Sequence, residues 1–552
     1  MTAKTPVYEI EYLVEGEPVR NTRLALENNA KSIEAALLAG GIAPPLAPDL
    51  AAVAGRVSIL EAKAAGQSHN VTDAAYGAAG NGVTNDRNAI QAALDAAYAD
   101  GGGVVLIPPG VYRVNSGLIV RANVVISAYG ATILRGTPTF ALLRNFDKAV
   151  DSFPLYSGNS NIMVLGGTWD GNASAATATS GNVFSFAHCE NITVRDVTIL
   201  DVADAHAIEF NGARHSRVVN CRAFGYKSIG GTNSEAFQFD LSSTSTGLCA
   251  PYDNTPCQNI LIDGNHVGKS TKLNGWPRMV GSHYSASGVW QSAFRVVNNI
   301  AYDCTDHAIR AYQWVDVVVA NNTVVGGNIG IQIRSGDLPA SNNVDRCVVV
   351  GNTVRNTTGD GIQFTGISGG GIARELVVGN NMIAAPGGNG IGMTYAYGAV
   401  ISGNQIVSSA STGISVSFSD NVAVTGNRVR SSASHGIAAG DSKMVNVVGN
   451  TVRTTVGYGI VLSPNALDGA VRSNHVASAT AGAYRASVGS NFCAFVGNTA
   501  RLDGVTNAAG MALVITSACT GVQHYGNDFY GFGAAGIGDT GVSSVTAATN
   551  RV

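Results

Sequence analysis

The sequence predicts an all-β chain, a right-handed single-stranded parallel β-helix, with a short α-helical and coiled-coil segment at its N-terminus. Three observations predict it. A phrase made of a β-branched pair, Gly-Asn and an apolar residue recurs through the second half, as LIDGNHV, VVVGNTV, VISGNQI, VNVVGNTV and AFVGNTA. Its asparagines are Asn265, Asn299, Asn322, Asn352, Asn380, Asn404, Asn427, Asn450, Asn474, Asn498 and Asn527, and most distal copies stand 23 or 24 residues apart. A second phrase follows each one (GIQIR, GIQFT, GIGMT, GISVS), alternating apolar with variable residues as a strand with one buried face does. Third, 68 of the 552 residues are glycine and only 13% are charged. Turns of this length stack about 4.8 Å apart, so like residues form ladders. A leucine-rich horseshoe would need a leucine framework, and a propeller has nearly twice the period. Asparagine is expected at a left-handed turn position, bonded to the asparagine of the next turn, with glycine relieving the Cβ clash.

Taken in order, residues 1–45 (TPVYEIEYLVEGEPVRNTRLALENN at their core) form the first unit. In residues 46–66, Leu50, Val53, Val57 and Leu60 alternate at spacings of 3 and 4, a short coiled coil. Residues 67–103 hold VTDAAYGAAGNGVTNDRNAIQAALDAAYADGGG, in which Asn85 or Thr84 caps a helix with Ile90, Ala93, Leu94 and Ala97 on one apolar face. Such a helix closes the open end of a solenoid, whose terminal turn must be capped. The β-helix body then runs over 104–552, starting near Val104.

This entrance, ending in PPGVY, resembles the pectate-lyase superfamily of β-helices, whose pattern runs GA-x-GDG-x-x-D-x-x-AIQ-x-A and then PPG-x-Y. The likeness implies the fold and polysaccharide ligands, and brings no catalytic residue with it. The first seventy residues resemble the N-terminus of tail proteins of phages of actinobacteria, with a Tyr-rich opening before Gly-Glu-Pro. That resemblance implies a tailspike: a virion adaptor over 1–45, a trimerising coil over 46–66 and a glycan-binding body. The expected partners are a bacterial surface polysaccharide, two further copies of the chain and a phage tail or baseplate. The expected location is the virion tail, acting outside the cell. An acidic N-terminus in place of a signal peptide fits assembly inside an infected cell. A formal charge of −3 argues against nucleic acid as the main partner, and no apolar run is long enough for a membrane.

Aligning the second phrase gives HAIEFN, EAFQFD, RMVGSH, HAIRAY, IGIQIR and DGIQFT. Third and fifth positions should face the core, fourth and sixth the solvent. The outward column then carries Glu209, Gln238, Asp240, His283, Arg310, Tyr312, Gln332 and Arg334, whereas later turns offer Gly392, Ser415 and Ala438. Polar chemistry is thus confined to one stretch. The turns there are longest, 45 residues from Asn220 to Asn265. Their loops are expected to wall the face and bring Asp253, Trp276, Tyr284 and Trp290 to it, since aromatic planes suit pyranose rings. Glu209 and Asp240, one turn and two positions apart, should stand ~8 Å apart, the spacing an inverting glycoside hydrolase uses. Glu235, at the strand entrance, is the substitute for either. His283 is expected to pair with Asp240, and Arg310 to bind a sugar carboxylate. Asp170 in WDGN reads as a structural turn, and His206 and His307 as turn histidines. Against the pectinases, the NTD, DD, GHG and RIK set and the WIDH motif are absent, which argues against pectin.

Of eight cysteines, Cys249 and Cys257 bracket the long loop and form the one candidate disulfide. No spacing suggests a metal, and no cofactor is expected. The expected function is a tailspike that binds and hydrolyses a bacterial surface polysaccharide. The alternatives are a non-catalytic glycan receptor-binding protein, a lyase on the same groove and a free secreted depolymerase.

Overall fold

A computed structural model describes residues 68–551, apart from the segments 137–139, 175–179, 231–233, 245–246, 337–342, 504–509, 533–535 and 547–549. The adaptor and coiled-coil segments lie outside the described residues. The rest is a right-handed parallel β-helix in which every named strand pairing is parallel. A sheet of 35 strands contains two stacks that join where long strands bend across, a sheet of 16 strands forms the third wall, and 3 strands make a small outer sheet.

The helix that closes the solenoid, α1 (Arg87–Ala99), buries Ile90, Gln91, Ala93, Leu94 and Ala97. The predicted apolar face is correct, and Gln91 adds to it. Its amide oxygen accepts from the Ile119 N–H and its amide nitrogen donates to the Ile119 carbonyl, both at 2.9 Å, so it satisfies a strand edge under the cap. The cap residue is Asp86 rather than Asn85 or Thr84. Its carboxylate turns away from the helix and accepts from the Ala79 and Gly80 N–H groups, at 2.7 and 3.2 Å.

The stack starts ahead of α1, earlier than the expected Val104: Ser68–Asn70 pairs in parallel with Gly103–Leu106, and Asn81–Asn85 with Gly110–Val114, so α1 is inserted into the first turn. Inside the stack, aromatic rings of successive turns lie over one another, Phe186 on Phe210 at 5.2 Å and Phe210 on Phe239 at 5.0 Å, and Phe294 stacks on Trp314 at 3.8 Å. Identical residues one turn apart meet face to face because the register is fixed.

The asparagine ladder is real, and its geometry differs from expectation. From Asn265 to Asn527 each ladder asparagine is buried, and the residue before it takes the left-handed conformation. Gly351, Gly403, Gly426 and Gly449 do so with φ of +64° to +67°. A Cβ there is strained, which explains glycine, or asparagine at Asn298 and Asn321. The asparagine behind turns inward. The Oδ1 of Asn427 accepts from both the main-chain N–H and the Nδ2 of Asn404, at 2.9 Å, while its Nδ2 donates to the Ile401 carbonyl and to Asn450. In the Gly-Asn-Asn sequence of 379–381 the ladder member is Asn381, 29 residues from Asn352 and 23 from Asn404. Asn380 is the left-handed residue, φ 53°. The ladder also reaches Asn550.

All eight cysteines are buried and free. Cys257 lies in the main core, while Cys249 lies with Phe146 and Ala187 in a separate small cluster. The candidate disulfide is therefore not formed. Asp170 is the turn residue expected of it, its carboxylate accepting from the Asn172 N–H at 2.7 Å.

Candidate functional site

The register confirms the outward column residue by residue. Glu209 pairs with Gln238, Gln238 with Gly281, Gly281 with Arg310, Arg310 with Gln332 and Gln332 with Gln363. Asp240 lies beside Asn211, one turn on and two positions along from Glu209. The column points away from the core, and yet at its centre it does not meet water. Glu209 is 5% exposed, and Gln238, Asp240 and Glu235 are at most 1% exposed. The Asn182 and Asn211 amides lie against Glu209, and the His283–Tyr284 segment closes over Asp240.

Glu235 is the hub. Its carboxylate takes a 2.7 Å ion pair from Arg278, lies 3.3 Å from Nδ1 of His283 and 3.7 Å from Nδ1 of His206. At Gly281 a Cβ would stand 3.0 Å from the Arg310 carbonyl oxygen, tighter than an ordinary contact, and 3.4 Å from the Glu235 carboxylate. Burial alone would raise Glu235, but His283, Arg278 and His206 outweigh it and hold the carboxyl down at about 2. Arg278 continues to Asp306, whose carboxylate accepts from its Nε at 2.6 Å and in turn holds Nδ1 of His307 at 2.7 Å.

His283 lies between two carboxylates, with Nε2 3.6 Å from Asp240, and its side chain remains 30% exposed. The expected pairing with Asp240 is present. Burial opposes its charge, but Asp240 and Glu235 prevail and raise the imidazole to about 9. It is an imidazolium at neutral pH. His206 stacks 6.0 Å from His283, and its Nδ1 accepts from the Glu235 N–H at 3.2 Å. Burial lowers it to about 4, against the pull of Glu235, so it is neutral. Asp240 accepts from the Gln238 amide at 2.5 Å and from the main-chain N–H groups of His283 and Tyr284 at 3.3 and 3.2 Å. Burial nonetheless raises it to about 6.

Glu209 accepts from the Asn211 amide at 3.0 Å and from the Asn182 amide. Burial outweighs both and raises its carboxyl to about 7. At neutral pH it is about half protonated, the state that suits a general acid. Beside it, Oδ1 of Asn211 and Oε1 of Gln238 are buried acceptors with no hydrogen-bond donor among the described residues. Such acceptors suit hydroxyl donors.

The next turns extend the face. Arg310 stacks over Tyr312 at 4.9 Å and donates to Gln332 at 3.3 Å, and Gln332 donates to Gln363 at 2.6 Å. Arg334 lies over the same ring at 5.7 Å. Tyr312, 4% exposed, is thus held between guanidinium groups and is no platform for a sugar. Three further expectations are corrected. Trp276 is fully buried against Tyr226, 5.2 Å away, because its segment folds into the core. Asp253 closes its own loop, accepting from the Leu155 N–H at 3.1 Å and the Thr255 hydroxyl at 2.5 Å, so the loop folds back on earlier turns. Trp290 lines a cavity on the adjoining face. Tyr284 does reach the site, through its main-chain N–H to Asp240.

The sequence reading missed Arg278, Asn182 and Asp306. Arg278 was legible, since it pairs in register with Glu235, an acid and a base one turn apart. Asn182 lies in a turn with no repeat to align it.

Comparison with known proteins agrees on the architecture. Residues 340–500 match the family described as right handed beta helix region. Plasmin and fibronectin-binding protein A of Streptococcus pneumoniae is 26% identical over 272 residues, 45% of this chain and 38% of that protein. Mannuronan C5-epimerase AlgE6 of Azotobacter vinelandii is 49% identical over 69 residues, 11% of this chain and 8% of the epimerase. The solved structure of the pneumococcal surface protein and adhesin PfbA superposes with a TM-score of 0.58 at 22% identity, over 72% of this chain and 99% of that one. The chain spans less than half the length of these curated relatives. What the PfbA structure shares with it is the β-helix fold.

Proposed function

We propose that the protein binds a bacterial surface polysaccharide along the Glu209–Arg334 face and hydrolyses it, with Glu209 as the general acid. The observation that carries this reading is the Glu209 carboxyl, raised to about 7 by burial beside a second carboxylate, Asp240. The unpartnered acceptors of Asn211 and Gln238 suit sugar hydroxyls, and among the relatives the epimerases act, by name, on the polysaccharide mannuronan. In this reading Glu209 protonates the leaving oxygen as the glycosidic bond breaks, and the Asp240 carboxylate takes a proton from the water whose oxygen bonds to the anomeric carbon. Asp240 is out of reach of water in the described state, so the His283–Tyr284 segment, whose N–H groups close over it, must shift to admit that water. His283, held as an imidazolium, is unsuited to act as the base of an elimination.

Replacing Glu209 by Gln is expected to reduce release of oligosaccharides by about 10²–10⁴ while binding persists. Full activity in that variant overturns the assignment. The sealing of Asp240 favours one rival, a glycan-binding protein that cleaves nothing. The N-terminal residues support the wider reading of a trimeric phage tailspike, attached through 1–45 and acting outside the cell. Light scattering on the full chain is expected to give a trimer, and a monomer contradicts it.

A further inference from the structure

On the adjoining face a cavity of about 650 Å³ opens beside Trp290. We propose that it is a second saccharide-binding site, for a neutral, hydroxyl-rich stretch of the same glycan chain. The proposal rests on a polysaccharide being the ligand, and it does not need that ligand to be cleaved.

The lining has the chemistry of a sugar site. Trp290 is half-buried, and its indole N–H donates to the Asn343 carbonyl at 2.8 Å, which fixes the plane of the ring. Facing it are two fork-to-fork pairs. Arg346 grips Asp316 at 2.5 and 3.1 Å, and Arg374 grips Asp345 at 2.7 Å through both nitrogens. The arginine side chains stay 52% and 43% exposed, so the outer edges of these planar groups face solvent. Pairing holds each side chain in one geometry before any ligand arrives, which lowers the entropy lost on binding. It also cancels the charge. An anionic polymer would find no surplus cation here, whereas a pyranose offers an apolar face to the indole and hydroxyl edges to the pairs.

The site also has a direction. Asp345, Arg374 and Tyr397 occupy one register position in successive turns, and bridges carry that column on to Asp420 and Lys443. Tyr397 is 47% exposed. From Asp345 to Asp420 a row of planar polar and aromatic side chains repeating every ~4.8 Å runs along the solenoid axis, as an extended glycan would.

The test uses the full chain carrying Glu209→Gln, so that cleavage is suppressed, and the probes are purified neutral wall polysaccharides of actinobacteria. Against the polymer that it retains best, adding Trp290→Ala is expected to weaken retention tenfold or more. Trp290→Phe, which keeps a plane, should restore part of it, and Arg374→Gln should weaken it by a smaller factor. Mass by light scattering should be unchanged in all three. Unchanged retention in Trp290→Ala overturns the proposal, and so does a fall in mass, which would make the cavity an interface between copies. If Trp290→Ala loses retention while the unaltered chain releases no oligosaccharide, the site stands and only hydrolysis fails. Retention of none of the probes overturns both readings.

Discussion

Glu209 and Glu235 are the same residue type on neighbouring strands of one sheet, and although burial raises both, their partners take them in opposite directions. Glu235 has an arginine and an imidazolium in contact and is held ionised at about 2, while Glu209 has only amides and rises to about 7. A rate limited by a protonated Glu209 and an ionised Asp240 should rise with pH through about 6, where Asp240 loses its proton, and fall through about 7, where Glu209 does. A pH–rate profile flat from 5 to 8 contradicts the assignment. For stability the Glu235–His283 pair has the usual signs. The part from Glu235 is complete above its ordinary 4.5 and lost as pH falls through about 2; the part from His283 is complete below 6.5 and lost as pH rises through about 9. Arg278→Met strands the buried Glu235 charge and should cost about 3–5 kcal/mol by thermal or denaturant unfolding. A loss within ~0.5 kcal/mol, the range of an ordinary surface substitution, would show that the pair is not buried as described.

At the scale of the element, the repeat made the strands, their register and the outward column legible. Glu209, Asp240 and His283 were placed because identical turns extrapolate. What failed was a matter of surroundings. Trp276, Asp253 and Trp290 lie in insertions, where no repeat says which way the chain returns, and each followed its own local partners instead. The burial of Asp240 was equally hidden, because alternation tells outward from inward and not covered from open. The ladder shows the same division. Its period was plain, but in Gly-Asn-Asn only the hydrogen bonds distinguish Asn381 from Asn380. Asn427→Ala orphans the buried N–H of Asn404 and should cost on the order of 1–3 kcal/mol, read as local loss of hydrogen-exchange protection in the turns it joins. Unaltered protection there would reduce the ladder to a consequence of the turns.

For the whole molecule, a solenoid stacks each turn on its neighbours alone, so one face can be rebuilt for chemistry while the distal turns keep a plain repeat. The low charge of the chain follows from this, with the asparagine ladder and serine pairs doing much of the polar work, while the outward column of the Glu209–Arg334 turns carries ionisable groups that later turns replace with Gly392, Ser415 and Ala438. The most direct test is to incubate the unaltered protein with purified bacterial surface polysaccharide and determine the masses and end groups of what is released. Hydrolysis by Glu209 predicts a ladder of oligosaccharides with saturated ends that carry the added water, absent when Glu209→Gln replaces the unaltered chain. Polymer left intact after prolonged incubation, or fragments with unsaturated ends, would contradict it.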